Sequence, residues 1–282
     1  MPQAETITGR TEEWWPRIDQ RLAVLIPCFN EETAIARVIA GFRAELPEAT
    51  IYVYDNNSTD NTLEVARAAG AVVRRETHQG KGLVVRRMFA DVEADIYVLV
   101  DGDATYDACS VRAMIARQME ERLDMVVAAR VEQEADAYRP GHRIGNRLFT
   151  GFFASVFDAT FTDILSGYRV FSRRFVKSFP VLSRGFEIET ELSVHALELD
   201  LPVGEVPTPY YARPEGSTSK LSTWRDGLRI LLLGLFELGQ RLVVFEVVEV
   251  VEALARGGVI RGPGWNPSRA IGAGRYPQQH DQ

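Results

Sequence analysis

Two aspartates separated by a single glycine, Asp101-Gly102-Asp103, follow directly on the apolar run Ile96 to Val100. Carboxylates at that spacing, where a buried strand surfaces at its carboxyl end, offer the hard oxygen donors that Mg2+ takes alongside substrate phosphates. Open α/β sheets bind ligands at that same edge. The chemistry they could do is to clamp a metal-bridged diphosphate. On its own the tripeptide reads first as a solvated Asp-Gly turn, because short motifs match by chance. A second apolar run, Ile51 to Tyr54, also stops on a carboxylate, Asp55. That side chain could accept hydrogen bonds from a base or a ribose, or it could cap its own turn. Capping is the role expected of Asp60, in a stretch of Asn, Ser, Thr and Asp residues that bond nearby backbone.

These residues need a frame that brings strand ends together. Leu22 to Ile26 is an apolar run ended by Pro27, and Pro27 to Glu32 reads as a loop. Thr33 is placed to cap the helix that follows, whose Ile35, Val38, Ile39 and Phe42 share one face. A helix from about Thr62 to Ala69 precedes a short strand, Ala71 to Val73. Another helix is expected after Gly80-Lys81-Gly82, then the strand at Ile96 and a further strand, Met125 to Ala129. Strands and helices alternating with short connections predict an α/β fold, a mostly parallel twisted sheet flanked by helices. No glycine fingerprint of a dinucleotide fold follows the first strand, and Gly80-Lys81-Gly82 lacks the spacing of a Walker phosphate loop.

Composition narrows the classes. The chain has 282 residues, 46% of them hydrophobic and 25% charged, as in ordinary globular proteins. A net charge of -7 argues against a nucleic-acid partner. Cys28 and Cys109 make neither a disulfide framework nor a metal motif, which suits a reducing cytoplasm. Met1 to Gln20 is polar, carries Trp14-Trp15-Pro16, and lacks the apolar core of a signal peptide. A cytoplasmic protein is expected.

Four motifs occur in order, each at or just beyond a strand end: Pro27 with Asn30-Glu31, Asp55 to Thr62, Gly80-Lys81-Gly82 and Asp101-Gly102-Asp103. This order strongly resembles glycosyltransferase family 2, and more closely the branch of dolichyl-phosphate mannose synthase and its bacterial polyprenyl-phosphate relatives. Tyr138 to Arg147, Asp163 to Arg169, Gly185 to Glu189 and Tyr211 to Leu221 fit that branch, so the resemblance spans roughly Leu22 to Leu228. It implies a GT-A type nucleotide-sugar-binding fold and an inverting, metal-dependent transfer from a GDP- or UDP-linked sugar. It also implies Mg2+ or Mn2+ on Asp101 and Asp103, with Pro27, Asn30, Glu31, Asp55, Asn57, Lys81 and Gly102 around the donor nucleotide. Arg130, Arg143, Arg213 and Lys220 would lie near the acceptor phosphate.

The acceptor follows from proton chemistry. A sugar hydroxyl must lose a proton, so its enzyme needs a general base. A polyprenyl phosphate is already anionic and needs only positioning and charge screening, which arginine and lysine supply. Asp163 is therefore expected to orient rather than deprotonate, with a hydroxyl acceptor and Asp163 as base the main alternative. Arg143 precedes Phe149, Phe152, Phe153 and Phe157, which could border a lipid chain or simply form core. A nucleotidyltransferase would want a lysine-rich glycine loop after the first strand, and Pro27-Cys28-Phe29-Asn30 is not one. A module that binds nucleotide or lipid without turnover is disfavoured by the intact diacid.

The tail departs from that branch, whose members often carry two C-terminal spans. Residues 229–256 are apolar but interrupted by Glu237, Arg241, Glu246, Glu249 and Glu252, too charged for a spanning helix. They read as an amphipathic helix docking on its own domain, on a second copy, or peripherally on the inner face of a membrane. The organisation expected is a polar segment 1–20, a catalytic domain 21–228, this helix, and a disordered tail 257–282.

Overall fold

The computed structural model describes residues 20–132 and 162–214. The chain enters on β1 (Leu22–Cys28) and continues through α1 (Ile35–Glu45), β2 (Thr50–Asp55), α2 (Thr62–Ala68), β3 (Val72–Arg75), α3 (Lys81–Asp91) and β4 (Ile96–Leu99). A single 3-10 turn leads into α4 (Val111–Glu121), followed by β5 (Met125–Glu132). Beyond the undescribed stretch come β6 (Arg169–Ser172), α5 (Arg173–Ser178), α6 (Ile188–Glu198) and β7 (Val203–Tyr210).

The strands form one sheet in the order β3-β2-β1-β4-β6-β5-β7. Neighbours from β3 to β4 are parallel, as are β5 and β7, and β6 alone runs against the rest. Alternate residues of each strand feed two cores. Val24, Ile26, Val98 and Val126 pack toward α1, α2 and α4, while Leu25, Leu99, Met125 and Val127 pack toward α3, α5 and α6. Both faces of the central strands β1, β4 and β6 and of the first part of β5 are thus dry, which is why β1, β4 and the start of β5 read as unbroken apolar runs. Each fully buried aliphatic side chain contributes about 1.5–3 kcal/mol to that burial.

Several boundaries differ from the sequence reading. β1 runs through Pro27 instead of ending there, with Pro27 opposite Tyr54. Cys28 gives its carbonyl to Asn56 N–H on the β2 side, so the alternating Pro27 faces β4, where pairing stops at Leu25–Leu99. The missing N–H of proline therefore costs no ladder bond. Thr33 does not cap α1; the helix starts at Ile35, and the Glu31 carbonyl accepts from the N–H groups of Ala34 and Ile35. β3 is shifted to Val72–Arg75, and α3 begins at Lys81 itself.

Candidate active site

The carboxyl ends of β1, β2, β4, β5 and β7 and the start of β6 meet along one edge of the sheet. On the β2 side, Asp55 is fully buried. Its oxygens accept from Ser58 N–H at 3.2 and 3.3 Å, and Arg75 Nε lies 3.3 Å from Oδ2. Asn56 ties two loops together: its amide donates to the carbonyls of Glu76 (2.9 Å) and His78 (2.8 Å), and its oxygen accepts from Gly80 N–H at 2.7 Å. Asn30 and Asn57 both hold a positive φ, which asparagine tolerates. Asn30 Oδ1 accepts from Thr59 N–H at 2.8 Å, and Asn57 donates to the Thr77 carbonyl at 2.8 Å. Asp60 caps locally, accepting from Thr62 N–H at 3.0 Å and Thr62 Oγ1 at 2.5 Å. Burial raises its pKa, but hydrogen bonds from Thr62 and from the backbone N–H groups around it, that of Glu32 included, together hold it below the ordinary carboxylate value.

At the centre stands the diacid, and its glycine has a steric reason. A Cβ on Gly102 would lie 2.6 Å from Cys28 Sγ, so the turn is pressed against the end of β1. Asp103 is buried, with Oδ1 held by Thr105 N–H (3.2 Å) and Thr105 Oγ1 (2.6 Å). Its Oδ2 meets Arg213 Nη2 at 2.5 Å, and Arg213 Nη1 lies 3.8 Å from Glu31 Oε1. Burial lowers the Arg213 pKa, yet Asp103, Tyr210, Asp101 and Glu31 together offset this and keep the guanidinium above its usual value.

Asp101, whose side chain stays 27% exposed, pairs with Lys81 Nζ, which also pairs with the buried Glu189. Burial pushes the Lys81 pKa down, but the two carboxylates outweigh it and hold the ammonium firmly charged. Glu189 is pushed up, by burial first and by Asp101, against the pull of Lys81.

Lys81 reaches this position because of its flanking glycines. A Cβ on Gly80 would collide with the Arg184 carbonyl, and one on Gly82 with the Ser183 carbonyl. Glu191 on α6 secures that segment, accepting from Leu182 N–H at 2.6 Å and Ser183 N–H at 2.8 Å. The glycine-lysine-glycine motif is thus a packing joint that aims one lysine.

Across the edge, Asp163 and Arg130 form a two-pronged pair, Nε to Oδ2 at 2.6 Å and Nη2 to Oδ1 at 2.7 Å. Arg130 also covers the Tyr210 ring, 5.4 Å from its centroid. The loop carrying Asp163 is fastened by Arg169, which has no exposed surface. Its guanidinium donates to the carbonyls of Ile164 (2.6 Å), Ser166 (2.9 Å) and Glu189 (2.9 Å) and to Ser193 Oγ (2.9 Å). Burial lowers its pKa to about 10, against the opposing pull of Glu189 and Asp163. Tyr106 Oη accepts from Gly167 N–H at 2.9 Å, and Gly167 leaves no room for a Cβ beside Asp101.

The sequence profile of "Glycosyl transferase family 2" matches residues 23–179, more than half of the chain. The chain belongs to glycosyl transferase family 2. It is an enzyme of transferase type, and its sheet is that of the family's GT-A fold. Glycosyltransferase AglJ of Haloferax volcanii is 39% identical over 75% of this chain and 70% of that protein. The dolichyl-phosphate hexose transferase of the same organism is 26% identical over 74% of this chain and 90% of that protein. Among solved structures, glucosyl-3-phosphoglycerate synthase from Mycobacterium tuberculosis, in complex with Mn2+, UDP-glucose and phosphoglyceric acid, superposes with a TM-score of 0.64. Its identity is 21%, covering 78% of this chain and 80% of that one.

In this family member, Pro27, Asn30, Glu31, Asp55, Asn57, Lys81, Asp101, Gly102 and Asp103 line one end of the sheet, with Arg130, Asp163 and Arg213 at the same edge. Arg143, Lys220, the phenylalanines from Phe149 to Phe157 and the segment 229–256 lie outside the described residues. The diacid fits a hard divalent ion by its chemistry, two carboxylates at one strand end with one of them partly exposed. Among the described residues no third histidine, cysteine or acid joins them. Sequence reasoning gave no role to Glu189, Asn56 or Arg169. An arginine inside the apolar run Tyr168-Arg169-Val170-Phe171 was the available signal for the last.

Proposed function

We propose that this glycosyltransferase moves a hexosyl group from a GDP- or UDP-linked sugar to a polyprenyl phosphate, with Mg2+ or Mn2+ held by Asp101 and Asp103. Asp55, Asn30, Asn57 and the Glu31 loop receive the nucleotide, and Lys81 and Arg213 balance charge beside the diphosphate. The phosphate oxygen of the lipid attacks the anomeric carbon from the side opposite the diphosphate. A carbon–oxygen bond forms as the bond to the diphosphate breaks, and the nucleoside diphosphate departs with inversion. A bound divalent ion offsets the charge growing on that leaving group.

The observation that carries the acceptor class is the Asp163–Arg130 pair. A carboxylate gripped at both oxygens by a guanidinium is stabilised in its charged form and is a weak proton acceptor. An acceptor that arrives already ionised does not need one. Likeness to a dolichyl-phosphate hexose transferase supports the same class. Likeness to a synthase crystallised with phosphoglyceric acid supports a second reading, a hydroxyl acceptor with Asp163 as base.

Working on a lipid would place the protein peripherally at a membrane surface. Among the described residues no helix is long and apolar enough to cross one. The deciding measurement is transfer from a radiolabelled donor to polyprenyl phosphate. Arg143→Ala is expected to lower it about a hundredfold, or ~2.7 kcal/mol, and Asp163→Asn clearly less. An inactive Asp163→Asn beside an active Arg143→Ala, with sugar found on a hydroxyl, would replace the first reading by the second.

A further inference from the structure

Asp103 has no oxygen turned idle toward the solvent. Thr105 holds Oδ1 through its N–H and its hydroxyl, and Arg213 sits on Oδ2. A divalent cation approaching this carboxylate therefore meets a guanidinium in its place. Arg213 cannot yield by losing its proton, because arginine stays charged at any working pH. It can only exchange one anion for another.

The two cations of the site differ in how firmly they are tied. Lys81 lies in the first turn of α3, locked by Gly80 and Gly82 against the segment 183–184, and besides Asp101 the buried Glu189 holds its ammonium. Arg213 follows the end of β7 with 30% of its side chain exposed, and its second contact, to Glu31, is a loose 3.8 Å. The backbone just before it is fixed by Tyr211 N–H on the Thr105 carbonyl at 2.9 Å and by the bridge between Tyr106 and Tyr210. The guanidinium can swing while its anchor stays.

We propose that Arg213 is a placeholder for the divalent cation. It occupies Asp103 while the site holds no nucleotide, and it passes to a phosphate oxygen of the donor when the nucleotide arrives, so that metal binding becomes conditional on the diphosphate. This rests on the reading of Asp101 and Asp103 as the metal site. Arginine is suited to the exchange because its planar fork fits carboxylate and phosphate equally well. The coupling is reciprocal: whatever factor the nucleotide adds to metal affinity, the metal adds to nucleotide affinity.

The test is a titration of Mn2+ alone, read from the loss of the free-ion electron paramagnetic signal, on wild type and Arg213→Gln, repeated in saturating GDP and in saturating UDP. Arg213→Gln should bind Mn2+ about tenfold tighter than wild type without nucleotide, within the usual range of such couplings. With the nucleotide that binds, the two proteins should differ little. Equal Mn2+ affinity without nucleotide overturns the inference. So does a gain of the same size with and without nucleotide, which is the mark of a simple charge effect. If wild type binds no Mn2+ under any of these conditions, the metal reading falls and the inference with it. Should Arg213→Gln fail to fold, Arg213→Lys takes its place, with a smaller gain in the same direction expected and no gain overturning the inference.

Discussion

Replacing Lys81 with Met removes the one cation that the described structure places between Asp101 and Glu189. Methionine keeps the length and apolar stem, so the change isolates charge. The Lys81 and Glu189 side chains are 10% and 8% exposed, so that half of the cluster counts as buried, whereas Asp101 at 27% is partly screened by solvent. Removing one partner of a buried pair costs about 3–5 kcal/mol. The lower end, about 3 kcal/mol, is expected here at pH 8, because Glu189 can relieve its stranded charge by taking up a proton. Its pKa is already raised in the wild type by burial and by Asp101, and losing Lys81 raises it further. A carboxyl whose folded pKa exceeds its unfolded one stabilises the fold most below the unfolded value, near 4.3, and loses that contribution as pH rises through the folded pKa. The deficit of Lys81→Met should therefore shrink from pH 8 toward pH 5, by no more than about 1.4 kcal/mol per pH unit for one proton. Urea denaturation of both proteins across that range measures it. Lys81→Met/Glu189→Gln should recover most of the loss at pH 8, since it leaves only Asp101 without its cation, and that side chain is partly exposed to solvent. A deficit below about 1 kcal/mol at both ends, or one that grows toward pH 5, would refute the buried-pair account.

Gly102→Ala should cost about 1–3 kcal/mol by overpacking, and Cys28→Ala in the same chain should return part of it, because Cys28 Sγ is the atom the new methyl would strike; thermal denaturation of the singles and the double mutant checks this. Arg169→Met strands the carbonyls of Ile164, Ser166 and Glu189, a loss of about 3–5 kcal/mol. Proteolysis near residues 162–168 should accelerate in that variant, and unchanged protection would count against Arg169 as the fastener of the loop. Asn56→Ala removes the link between the β2 end and the Glu76–Gly80 loop at about 2–3 kcal/mol. It should also weaken GDP or UDP binding in calorimetry, and an unaltered nucleotide affinity would separate that loop from the donor site.

Much of this molecule is written locally. Strands buried on both faces need unbroken apolar runs, so β1, β2, β4 and β5 show in the sequence whatever lies beside them. Residues that end such runs stand at the carboxyl edge of the sheet, which is why Asp55, Asp101 and Asp103 could be placed there from spacing alone, although Asp55 and Asp103 prove to be buried. The ends of elements were less legible. Pro27 looked like a stop and is an interior strand residue, because whether a missing N–H matters depends on which neighbour it faces. Only strand order decides that. The reversed strand β6 is only four residues long and begins on a buried arginine, and nothing local fixes its partner or direction.

The charge partnerships belong wholly to tertiary structure. Lys81 finds Glu189 across 108 residues of chain and Asp101 across 20, while Arg130 finds Asp163 across 33. No local period marks such pairs, since each side chain reads as a solvated charge until the sheet brings the ends of β4, β5, β6 and β7 to one edge. Sequence determined which carboxylates face the site. The assembled sheet determined which cation each of them holds, because a carboxylate's partners are the neighbours that folding delivers.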